Sequence, residues 1–78
     1  MKAIEYYFQD TLNQLLDAAL EEKQHVKNSK DEFDKGVLVG YYKVILKLMN
    51  QAQAFGIRDK LPPKWRNFNP EELLSDLS

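Results

Sequence analysis

Residues 29–57 read SKDEFDKGVLVGYYKVILKLMNQAQAFGI, and this stretch decides the fold. Phe33, Val37, Tyr41, Val44, Leu48, Ala52 and Phe55 recur at intervals of three or four, the spacing of one face of an α-helix. Val37-Leu38-Val39 and Val44-Ile45-Leu46 would also suit strands. Length decides between the two, because the pattern persists over about 25 residues and strands rarely pass about 10. Ser29 and Glu32 have capping-box spacing, and Asp31, Glu32 and Asp34 place negative charge where the helix dipole favours it. Gly56 suits the left-handed position after a helix end, with Ile57 available for the accompanying contact. A helix is expected over about residues 30–55.

The rest of this helix is also apolar. Leu38, Ile45 and Met49 form the next side of the wheel, and Val39, Tyr42 and Leu46 continue round it. At 100° per residue the apolar arc spans about 240°, leaving Gly36, Lys43, Lys47 and Asn50 as a polar strip. A helix apolar over so wide an arc belongs inside something larger. Gly36 and Gly40 sit one turn apart and each costs a helix about 1 kcal/mol against alanine, so a close packing neighbour is expected there.

Upstream, Ile4, Phe8, Leu12, Leu15, Ala19 and Val26 keep helical spacing, widened by Leu16 and Leu20. This predicts a first helix over about residues 2–27. The short break around Asn28 makes the two helices antiparallel neighbours. Downstream, Leu61-Pro62-Pro63 interrupts any helical repeat. Asn69-Pro70-Glu71-Glu72 has the form of a helix start, predicting a short helix over about residues 70–77. Too short to stand alone, it must dock, with Trp65, Phe68, Leu73 and Leu77 as anchors. The expectation is an all-α single domain: a two-helix hairpin over residues 1–57 and a docking tail with a short third helix over residues 58–78.

The chain has 78 residues, and a core of that size supplies only a few kcal/mol of net stability. Without cysteine it has no disulfide, thiolate zinc site or cysteine nucleophile, which leaves a partner subunit as the natural supplement. The expected completion is a homodimeric four-helix bundle formed through Leu38, Tyr42, Ile45, Leu46 and Met49, with a compact monomer closed by its own tail and a complex with an unidentified protein partner as the alternatives.

Chemistry finds little support. Glu22-x-x-His25 is a fragment of the di-iron carboxylate pattern, but the core face of the second helix adds no glutamate. From Asp31, the third and fifth positions are Phe33 and Lys35, which fails the calcium-loop rule. There is no G-x-S-x-G and no Gly-rich phosphate loop. No catalytic residue, metal or cofactor is expected. The leading reading is a non-enzymatic protein-interaction or regulatory module acting by self-association and partner binding.

The alternative reading is nucleic-acid binding through residues 58–68, where Lys60, Lys64 and Arg66 flank Trp65. Cations near an exposed ring can hold single strands by phosphate attraction and stacking. Against it, the net charge is −1, and the acidic first helix could instead attract Lys43 and Lys47 through Asp10 and Asp17. The longest apolar run is six residues, Val37 to Tyr42, where a membrane helix needs about 20. The opening MKAIEYYFQD also lacks the apolar stretch of a signal peptide, so no membrane association and a cytoplasmic location are expected.

Overall fold

Helix α1 spans Lys2–Lys27 and helix α2 spans Glu32–Ala54 in the computed structural model, which describes residues 2–75. The two long helices pack against each other as an all-helical hairpin. The tail adds a 3-10 turn at Arg58–Lys60, a one-turn helix α3 at Pro63–Arg66 and a second 3-10 turn at Pro70–Leu73.

The start of α2 differs from the capping-box expectation. Asp31 is the N-cap, and its side chain accepts the Phe33 N–H at 2.9 Å. Ser29 instead braces the turn: its Oγ accepts the Asp31 N–H at 3.1 Å and donates to Asp34 Oδ2 at 2.7 Å. Both residues are good caps by chemistry, and the turn geometry chooses the one whose carboxylate reaches the second helical N–H. At the other end, Gly56 adopts φ +70°. Its N–H donates to the Gln53 carbonyl at 3.1 Å, and the Ile57 N–H donates to the Ala52 carbonyl at 2.9 Å. These two bonds form a Schellman motif, which satisfies carbonyls the helix leaves free and turns the chain back along the hairpin.

The tail then runs along α1 in the same direction as α1 itself. Gln9 Nε2 donates to the Lys60 carbonyl at 2.8 Å, and the Trp65 indole N–H donates to the Leu12 carbonyl at 2.9 Å. Lys64 pairs with Asp17 at 3.3 Å, and the Lys23 ammonium donates to the Glu72 carbonyl and to Ser75 Oγ. On the α2 side, the Tyr42 hydroxyl donates to Glu71 at 2.9 Å.

These contacts place the tail over the junction of the two helices, and the core forms there. Leu12, Leu16, Ala19 and Val26 of α1 meet Leu38, Ile45, Met49 and Ala52 of α2, while Leu61, Trp65 and Leu73 enter from the tail. Pro62 is buried beside them. Phe68 packs against the edge, and Leu77 lies outside the described residues. The short helix expected over residues 70–77 is a 3-10 turn ending at Leu73, with its N-cap at Asn69.

Candidate functional site

Docking of the tail decides which surfaces are available. Leu38 and Ile45 are fully buried and Met49 is 1% exposed, all three in the core of their own chain. Tyr42 is half-buried and bonded to Glu71, and Leu46 is half-buried beside it. The face expected to form a dimer interface is therefore the face covered by the tail. The wheel alone could not order the two, because a docked tail and a second subunit both require an apolar surface.

The same packing changes the nucleic-acid reading. Trp65 is fully buried, so its ring offers no stacking platform. Lys64 is engaged with Asp17, and Lys60 and Arg66 are exposed without an aromatic partner between them. Lys43 and Lys47 are exposed, and the ion pairs among the described residues do not include them. Their expected pairing with Asp10 and Asp17 does not form, since Lys64 occupies Asp17 and Gln14 bonds Asp10 at 2.8 Å.

The opposite face of the hairpin remains uncovered. Phe33 and Phe55 are each 74% exposed and Val44 is 50% exposed, with Val37, Tyr41 and Leu48 half-buried between them. Val37, Val44 and Gln51 repeat every seven residues, as do Tyr41, Leu48 and Phe55. This alternating spacing of three and four is that of a helix–helix seam. From α1, Phe8 is 39% exposed and Leu15 is half-buried along the same groove.

Two concavities lie on this face. One, of about 370 Å³, is lined by Leu15, Val37, Gly40, Tyr41 and Val44. The other, of about 240 Å³, lies near the C-terminal end of α2 among Phe8, Leu48, Phe55, Ile57 and Leu61. Beyond their own stretch of helix, no described atom lies within 4 Å of where a Cβ would stand at Gly36 or Gly40. The close neighbour that the sequence led us to expect at these glycines is not found within the described part of the chain.

Two polar arrangements lie elsewhere. At the hairpin turn, His25 Nε2 is 3.1 Å from Asp34 Oδ2, and Glu22 brings a third donor, all within 4.8 Å of one another. Asp34 comes from α2, nine residues after His25, so no spacing within a single helix signals it. This trio could take a cation only in competition with the bonds that already join Asp34 to His25 and Ser29. On the tail side, the Tyr42 hydroxyl is raised above its ordinary pKa. The bond to Glu71 is the main cause, followed by loss of solvent and then by the glutamate's charge.

Among the described residues, no helix is long and apolar enough to cross a membrane. The chain matches no protein-family model, no curated protein and no solved structure.

Proposed function

We propose that this chain is a small, non-enzymatic protein-interaction module that acts by self-association and partner binding through the uncovered face of its hairpin. The observation that carries this reading is the line of Phe33, Val37, Tyr41, Val44, Leu48 and Phe55, apolar but for Gln51, which the tail leaves open. Isolated exposed apolar residues are ordinary, whereas a contiguous line with helix-seam spacing marks a binding surface. The elongated shape supports it, with extents of 44 × 23 × 18 Å and a radius of gyration of 13.6 Å. A compact domain of this length has a radius of gyration of about 11.5 Å.

The test is solution mass by light scattering across a concentration series. The expected result is about 18 kDa, twice the 9.1 kDa chain, falling to the monomer mass in Val44→Glu with an unchanged far-ultraviolet spectrum. A wild-type chain that remains at 9.1 kDa throughout overturns self-association. Nucleic-acid binding through residues 58–68 is the weaker reading, since the ring it needs is buried. A flat anisotropy titration against a labelled single strand at low salt removes it.

A further inference from the structure

The uncovered face has an internal symmetry. Phe33 and Phe55, the two most exposed aromatic ends of the seam, stand eleven residues on either side of Val44. Gly40 and Leu48 stand four residues on either side of it. An antiparallel copy of α2 centred on Val44 therefore sets large against small, with Leu48 of one copy beside Gly40 of the other. The shallow, open depression lined by Leu15, Val37, Gly40, Tyr41 and Val44 lies where such a side chain would enter. About 16 Å from the centre, at 1.5 Å per residue, Phe33 of one copy reaches Phe55 of the other. There the concavity of about 240 Å³ among Phe8, Leu48, Phe55 and Ile57 is large enough for a benzyl group.

A parallel pairing has none of these matches. It stacks Gly40 on Gly40 and leaves a void, and it sets Leu48 against Leu48. We infer that the occupant of the open face is a second copy of this chain, laid antiparallel across it with a twofold axis at Val44. This inference rests on the self-association reading and adds its geometry.

Surface area supports a partner of this size. A folded monomer of this mass exposes about 4,900 Å². This chain exposes 5644 Å². The excess of roughly 750 Å² is close to the ~800 Å² that each partner contributes to a standard interface. Gly40 fits as well. It is a poor helix residue, no described atom beyond its own stretch of helix lies within 4 Å of where its Cβ would stand, and in the dimer it admits the partner's Leu48.

The absence of cysteine makes the geometry directly testable, because any introduced thiol is the only one in the chain. Disulfides form only when the two Cα atoms lie within about 7 Å, so cross-linking reads position. Val44→Cys, Phe33→Cys and Phe55→Cys are oxidised mildly, singly and as an equimolar Phe33→Cys and Phe55→Cys mixture, and run without reductant. The expected result is a covalent dimer for Val44→Cys and for the mixture, and little for Phe33→Cys or Phe55→Cys alone.

Self-cross-linking of Phe33→Cys without mixed product overturns the antiparallel geometry and leaves self-association standing. A mass of about 18 kDa with no cross-linking at any position shows that another surface pairs the copies and overturns the inference. A mass of 9.1 kDa overturns the underlying reading as well. A second variant, Gly40→Leu, fills the depression. It should weaken association at least tenfold while preserving helical content, because beyond the local stretch of helix no described atom lies within 4 Å of the new Cβ. Unchanged association in Gly40→Leu also overturns the inference.

Discussion

Replacing Trp65 by alanine tests whether the tail is part of the fold or an accessory to it. Trp65 is fully buried, and its indole N–H donates to the Leu12 carbonyl at 2.9 Å. A buried tryptophan removes roughly 200 Å² from water, and at about 25 cal/mol per Å² this is about 5 kcal/mol. That figure is an upper estimate, because unfolded chains already bury part of their surface. Large-to-small aromatic substitutions in cores cost about 3–5 kcal/mol, cavity included. A 78-residue domain has a total stability of roughly 4–12 kcal/mol, so the variant should lose about a quarter of its stability or more.

The assay is urea unfolding followed by far-ultraviolet circular dichroism at one fixed protein concentration, since self-association would otherwise shift the midpoint. With a denaturant slope of about 1 kcal/mol per molar, the midpoint should fall by about 3 M, and a marginal chain should be partly unfolded in buffer. Trp65→Phe keeps most of the ring and loses the indole bond, so its loss should be smaller, about 1–2 kcal/mol. A Trp65→Ala midpoint within about 1 M of wild type would refute the reasoning. It would mean that the hairpin is held by its own two helices and that the tail contributes little.

Two further outcomes follow from local chemistry. Because the Tyr42 pKa is raised in the folded state, the neutral phenol is the favoured form. Its contribution is fully present below pH 10, the ordinary tyrosine value, and is lost as pH rises through the folded value. Stability should therefore fall above pH 10 by a component that Tyr42→Phe removes, and a pH series of thermal midpoints for both chains checks it. Asp31→Ala should destabilise the fold by about 1 kcal/mol through loss of the α2 cap. Ser29→Ala, which removes a turn brace rather than the cap, separates the two roles in the same urea titration.

Much of the secondary structure can be read from neighbouring residues, because helix ends are local events. The seven-residue spacing from Phe33 to Phe55 and the Gly56 turn carry their own signals. The N-terminal boundary of α2 was harder, since Ser29 and Asp31 are both good caps. Which one acts depends on how α1 and α2 meet, and Ser29 is drawn away by Asp34. The sidedness of α2 is harder still: Leu38, Ile45 and Met49, expected at an interface, are buried in the core of their own chain, while Phe33 and Val44 on the same helix are exposed.

The sequence by itself determined that this is a pair of long helices with a short, proline-broken tail, and that one helix is apolar over too wide an arc for a single neighbour to cover. Periodicity and capping act over a few residues, so they are written in the order of the chain. Which side of that arc is covered was decided only by tertiary structure. The choice depends on contacts such as Trp65 with Leu12 and Tyr42 with Glu71, formed across 53 and 29 residues. Apolar side chains carry no label for the surface they will meet. The directional bonds that aim the tail join residues far apart in the chain, and by covering one face of the hairpin they leave the other exposed.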